Sequence, residues 1–269
     1  MTGTGTQSDP YIITTIEELK EQANISGVYL KLANDLNFND EPSVLGDGIT
    51  VNCREIDGDG YALLNPIITS CLFDIRSASG FKNLSIKNVY ADVNGANISI
   101  IANNYIYSGM YFTNCFLTGS LSNHTNSHYA SITTNNIVFK NSGINMIFNG
   151  NNVITHTSAT YGGFTLDNSN MEIRGTSTTD LSFTLQDSYI TGSAPYLNIY
   201  VRNNSNNSII DVEAASYVSD SNVGITLANS SKISGTISEY LTPVTPEQLA
   251  DTEELSRLGF PMEINQVGG

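Results

Sequence analysis

TNCFLTGSL at residues 113–121, KNSGINMIF at 140–148, DNSNMEIRG at 167–175, QDSYITGSA at 186–194 and ANSSKISGT at 228–236 repeat one phrase: an Asx residue at a turn, then a short strand. Their Asx positions, Asn114, Asn141, Asn168, Asp187 and Asn229, are 27, 27, 19 and 42 residues apart. Short strands at such spacing suit either an antiparallel sandwich or a parallel β-helix, whose coils of roughly 20 to 30 residues stack as a solenoid. The turns decide between them. A hairpin sandwich has no reason to set Asx-Ser before a strand at these intervals, whereas stacked coils ladder asparagine side chains along their axis. The intervals then read as one coil, one coil, one coil and two coils. The expectation is an all-β chain, a single-stranded right-handed parallel β-helix.

The flanking sequence has the same texture. Leu84 and Ile86, Ile137 and Phe139, Ile144, Met146 and Phe148, and Met171 and Ile173 alternate with polar neighbours. So do Leu197, Ile199 and Val201, then Ile210 and Val212, then Val223, Ile225 and Leu227. Each burst reads as a strand with one buried face. A chain of 269 residues, 40% hydrophobic and only 14% charged, suits one elongated body with a neutral Asn/Ser/Thr surface. Eleven basic against 26 acidic residues give a net charge of −15, which opposes nucleic acid or an anionic membrane as partner. No apolar run reaches the roughly 18 residues of a membrane span.

Cys53, Cys71 and Cys115 are odd in number and form no CxxC pair, so buried free thiols are expected rather than disulfides or zinc. Their spacings of 18 and 44 residues suit stations one and two coils apart.

A solenoid needs its apolar ends covered. At the start, Tyr11, Ile12 and Ile13 read as a short strand, and Thr15 with Glu18 forms a capping-box pattern for an amphipathic helix over IEELKEQA. Val28, Leu30 and Leu32 then alternate into a first coil. At the far end, Thr245 as N-cap, Pro246, Gln248 and the stop at Gly259 predict a short C-terminal helix. The expected organisation is a β-helix over 1–240, including an N-terminal cap over 1–38, and a C-terminal helical cap or tail over 241–269.

The opening GTGTQSDPYIITTIEEL (3–19), followed by GVYLKLANDLNF (27–38), resembles the G-T-G-T-x-x-D-P-Y start of β-helical surface proteins. These include bacterial adhesin-like repeat proteins and bacteriophage structural or tail proteins. The closing ELSRLGFPM is similar to the L-x-x-x-G-F ending that such modules carry. The resemblance implies the architecture and a place on a surface, and marks a cap rather than a site. No charged n-region with an apolar h-region precedes the motif. That favours a virion protein, which leaves the host by lysis, over a secreted adhesin. If Met1 is an expression start, a removed signal peptide keeps the adhesin open.

Candidate chemistry is sparse. Asp57 and Asp59 in REIDGDGYALLN suggest calcium, but the other oxygen ligands of a calcium loop are missing. The phrase resembles the I-D-G-x-G turn of β-helices, with Gly58 and Gly60 allowing positive φ. His124 and His128 lie in a polar loop with no third ligand nearby, and His156 stands alone. Asp167, Asp187, Asp211, Glu213 and Asp220 are available to a glycosidase, yet Asp at turns is the commoner use. Arg174 and Arg202 are too isolated to hold an acidic polymer for a lyase. No catalytic residue, metal or cofactor is expected. Outward tyrosines with amide neighbours suit sugars, which singles out Asn103, Asn104, Tyr105, Tyr107 and Tyr111, although tyrosines also half-bury on strands.

The expectation is therefore a non-enzymatic virion surface protein: capsid decoration, head fibre or tail-associated. Its expected partners are other virion proteins, further copies of itself, a trimer ahead of a dimer, and a cell-surface glycan. The alternatives are a polysaccharide-degrading tailspike and a secreted adhesin.

Overall fold

The computed structural model describes residues 2–40, 48–93, 96–103, 110–125, 127–151, 153–156, 164–176, 180–201, 205, 208–219, 225–228 and 242–244. Every pairing between its named strands is parallel. The chain forms the parallel β-helix that the turn phrases predict. Along one row of register partners run Tyr29, Glu55, Gly80, Tyr111, Val138, Thr165 and Thr184, in steps of 26, 25, 31, 27, 27 and 19 residues. Each step is one coil.

Three faces wind around the core. The first carries Tyr29–Leu32, Glu55–Asp57, Gly80–Lys82, Met110–Thr113, Ile137–Lys140 and Phe164–Asp167. The second carries Ala62–Leu64, Ser85–Val93, Phe116–Asn123, Gly143–Gly150 and Asn170–Gly175. The third carries Ile49–Val51, Cys71–Ile75, Ile98–Asn103, Ala130–Thr133 and Val153–His156. Further along, single long strands such as Tyr189–Val201 bend across two faces. Its start pairs with Asn170–Gly175 and its end with Asp180–Gln186.

The corner between the first and second faces explains why the phrases repeat. Asn83, Asn114, Asn141, Asn168 and Asp187 all take left-handed backbone, with φ between 46° and 54°. Asparagine tolerates this region better than most residues. Their side chains bond up the stack: Asn83 Nδ2 donates to Asp57 Oδ1 (3.1 Å), Asn114 to Asn83 (3.2 Å) and Asn168 to Asn141 (2.7 Å). The next residue makes a second, buried ladder. The N–H groups of Cys115, Ser142, Ser169 and Ser188 donate in turn to the hydroxyls of Ser142, Ser169, Ser188 and Ser208, at 2.9–3.1 Å. Each buried corner amide thus finds an acceptor inside the protein.

One step of the expected spacing fails. Ile190 pairs with Ile210, and Ile210 with Leu227, so the station two coils beyond Asp187 is 224, not Asn229. The phrase at 228–236 resembles the others in letters but not in register, and Asn229 itself lies outside the described residues.

Inside, the first-face rows bury Leu30, Ile56, Phe81, Phe112, Phe139, Leu166 and Leu185. Phe81 stacks on Phe112 with ring centroids 4.3 Å apart, Phe112 lies 5.1 Å from Phe139, and Phe139 lies 5.4 Å from Phe164. The cysteines do not stack. Cys53 precedes a first-face strand, Cys71 opens a third-face strand and Cys115 sits at the first corner, three different stations of the coil. Eighteen residues is too short for a coil in a region where one takes about 25. Cys53 and Cys115 are buried free thiols, while Cys71 is half-buried.

At the N-terminal end the helix α1, Ile16–Ala23, buries Ile16, Leu19 and Ala23 against the first coil. Its Ala23 carbonyl accepts the N–H groups of Asn52 (2.8 Å) and Cys53 (2.9 Å). Thr15 Oγ1 accepts the Glu18 N–H at 3.1 Å, as the capping pattern predicts. The Glu18 carboxylate reaches one residue further back than a capping box requires. It accepts from the N–H and hydroxyl of Thr14, both at 2.8 Å, and the Thr14 N–H bond is the main cause holding its carboxyl below the usual value. The motif before the helix has its own physics: Gly3 (φ 92°) and Gly5 (φ 75°) lie where any Cβ would strike the Pro10 carbonyl or the Tyr11 ring. The expected C-terminal helix, with Thr245 to Gly259, lies outside the described residues.

Candidate functional site: the outer faces of the coil

The first face presents charge. Its outward row reads Lys31, Asp57, Lys82, Thr113, Lys140, Asp167, Gln186 in register, so opposite charges meet from coil to coil. Lys82 Nζ lies 2.7 Å from Glu55 and 3.3 Å from Asp57, Lys140 3.3 Å from Asp167, and Lys31 2.9 Å from Asp59. The Glu55 contact, with Asp57 behind it, raises the Lys82 pKa. Burial pushes the Asp57 carboxyl up, but the Asp59 N–H, the Asn83 amide and Lys82 together outweigh it and hold its pKa low. Asp57 therefore serves the turn, accepting the Asp59 N–H at 2.9 Å. Within that turn Gly60 and Asp59 have positive φ, whereas Gly58 is needed for close approach: a Cβ there would sit 2.4 Å from the Asn83 carbonyl oxygen. Among the described residues no three His, Cys, Asp or Glu side chains cluster as a metal site would require.

Two of the five expected sugar-binding residues are described, and they lie on different faces. Asn103 ends the third-face strand Ile98–Asn103, and Tyr111 stands on the first face, 54% exposed, between Gly80 and Val138. Asn104, Tyr105 and Tyr107 lie outside the described residues. His124 is exposed and His128 half-buried on the connection between Phe116–Asn123 and Ala130–Thr133. Buried Asn123 organises that loop, donating to the His128 carbonyl at 2.8 Å and accepting from the Thr125 N–H at 2.9 Å. Asp167 sits in the charge row and Asp187 in the corner ladder, as turn residues do. Arg174 is paired with Glu172. Asp211 and Glu213 fall on the strand Ser208–Ser219, and Asp220 and Arg202 lie outside the described residues.

The second face is different. Ile67, Tyr90, Ser120 and Ile147 form one outward register row. Of these, Ile67, Tyr90 and Ile147 are exposed large apolar residues. Phe116, also exposed, lies with its ring edge where a side chain on Gly143 would stand, so ring and glycine fill one site. Two residues along from Tyr90, Asp92 is under-satisfied. Its Oδ1 is buried without a hydrogen-bond partner, and its Oδ2 has a Tyr90 hydroxyl at 3.5 Å, the limit of a hydrogen bond. Strict alternation from Ile86 places Tyr90 and Asp92 inward. A bulge at Asn88 (φ 58°) shifts the register between Ile86 and Val89 and turns both outward. Asn88 belongs to a second ladder that the turn phrases do not reveal, donating to Asn65 (3.0 Å), which donates to Asn37 (3.0 Å).

No protein-family sequence model and no curated protein matches the chain. A solved structure from Bacteroides ovatus, described as a "putative immunoglobulin A1 protease", superposes with a TM-score of 0.53 at 17% identity, over 95% of this chain and 88% of that one. At that identity the likeness shows a shared fold.

Proposed function

We propose that the chain is a non-enzymatic structural protein of a bacteriophage particle, displayed on the surface as capsid decoration, head fibre or tail-associated module. It is made in the host cytoplasm, assembles as a homo-oligomer, a trimer ahead of a dimer, and touches host-surface carbohydrate. The observation that carries this reading is where the polar side chains go. Asparagine, serine and charged residues bond coil to coil along the whole stack, giving a stiff rod rather than a cleft. Such a rod resists shear and proteolysis, and its neutral outer surface stays soluble at the density of a particle surface.

The neighbour's description brings a second reading, peptide-bond hydrolysis. Against a cysteine nucleophile, burial pushes the thiols of Cys53 and Cys115 up to about 12, which keeps them protonated. Against paired carboxylates, Asp57 and Asp167 are engaged with lysines. Mass spectrometry of purified particles, with antibody-gold labelling, tests the structural reading: the protein is expected on the particle surface, and its absence from particles defeats the proposal. Incubation with immunoglobulin A1 and with neutral and acidic polysaccharides is expected to give no cleavage. Turnover abolished by substituting Asp187 or Asp211 would put an enzyme in its place.

A further inference from the structure

We infer that the second face carries a binding slot for a neutral glycan, walled by Tyr90 and Ile147, floored by Ser120 and oriented by Asp92. This rests on the surface-exposed, carbohydrate-touching reading above but moves the contact from Tyr111 to a different face. Three observations converge. First, Tyr90 and Ile147 stand in one register row with only the small Ser120 between them. Two inter-strand steps separate the walls, about 9–10 Å, which admits a pyranose ring edge-on. Second, Tyr90 is 48% exposed and Ile147 39% exposed, so the flat faces that stack on the C–H side of a sugar point into solvent.

Third, Asp92 lacks donors. Elsewhere along the coils the side chains are tied into ladders, yet Asp92 Oδ1 has no partner and Oδ2 has one contact at 3.5 Å. A buried acceptor without a donor is costly, and such atoms call for an explanation. A sugar hydroxyl supplies the missing donor once it displaces the weak Tyr90 hydroxyl contact. Ser122, the register partner of Asp92, adds a hydroxyl able to donate or accept. The charge selects the ligand class. A carboxylate at the slot and a net charge of −15 repel uronates and sulfated chains and leave neutral hydroxyl-rich polymers as the fit.

The test is affinity electrophoresis of the full chain in native gels containing mannan, dextran, galactan or, as the polyanion, polygalacturonate. Retardation is expected in at least one neutral gel and not in polygalacturonate. Tyr90→Ala should restore the mobility seen in a blank gel, and Asp92→Ala should weaken retardation at least fivefold. Tyr111→Ala should change nothing. Ser120→Tyr, which fills the slot without removing either wall, should abolish binding, and it decides the matter if Tyr90→Ala fails to fold. Unchanged retardation in these three slot variants, or no retardation in any neutral gel, overturns the inference. So does light scattering in which Tyr90→Ala converts an oligomer to a monomer, because the face is then a subunit contact. Loss of retardation with Tyr111→Ala alone would refute the slot while leaving the carbohydrate-touching reading intact.

Discussion

Ser169 shows what one residue does in this chain. Its hydroxyl accepts the Ser142 N–H at 3.0 Å and donates to the carbonyls of Asp167 (2.8 Å) and Phe139 (2.9 Å), tying three coils at one buried point. Ser169→Ala leaves that N–H without an acceptor, which costs about 1–3 kcal/mol. Chemical denaturation should show it as a lower midpoint. Asn141 next to this corner has φ 48°, so Asn141→Gly should destabilise less than Asn141→Ala, which forces Cβ into left-handed backbone at about 1–2 kcal/mol. Asp57 gives the corner a pH dependence. Its folded pKa lies below the unfolded one, so its stabilisation is present above the usual carboxylate value and is lost as pH falls through the folded pKa. The melting midpoints of the native chain and Asp57→Asn should accordingly converge as pH falls below about 4. These corners were legible in the sequence because asparagine in left-handed backbone is a local rule. Tyr90 and Asp92 were not, because the bulge at Asn88 reverses the parity on which an alternation reading depends.

The helix Ile16–Ala23 is the element whose sequence signal and structural task agree most closely. Thr15 and Glu18 announce its start, and Ile16, Leu19 and Ala23 lie on the side that covers the first coil. Thr15→Ala removes the bond to the Glu18 N–H and should cost about 1 kcal/mol. Removing residues 1–24 is a larger lesion. It strips the apolar cover and the Ala23 carbonyl that satisfies Asn52 and Cys53, so the truncated chain should aggregate end to end or fail to fold. A soluble truncated chain with an unchanged melting midpoint would show that the helix is not a cap. The candidate sites were less legible than the elements. Choosing tyrosines by their spacing in NNYIYSGMYF assumes one strand, whereas the described ends of that stretch, Asn103 and Tyr111, belong to different faces and successive coils. Which side chains meet on a solenoid surface depends on partners 19 to 31 residues away, and coil length varies.

At the scale of the molecule, the architecture could be read because each coil repeats the same corner, and failed to be read where resemblance of phrase stood in for register, as at Asn229. The same repetition makes stability nearly one-dimensional: each coil contacts its neighbours, and the column of rings through Phe81, Phe112, Phe139 and Phe164 runs across those contacts. Phe112 is fully buried at the middle of this column, stacked on one side and tilted against Phe139 on the other. Phe112→Ala therefore weakens two coil–coil interfaces at once and should cost about 3–5 kcal/mol. The cost should also be divided in space. With the central contact weakened, the segment before residue 110 and the segment after it lose their mutual support, so the single unfolding transition of the native chain should split into two. Hydrogen exchange should then show the amides of Met110–Thr113 opening at lower free energy than those of Ile56 or Met171, which sit one or more coils away. If instead protection falls equally along the whole stack and unfolding stays a single step, the coils act as one cooperative unit and the nearest-neighbour description of this rod is wrong.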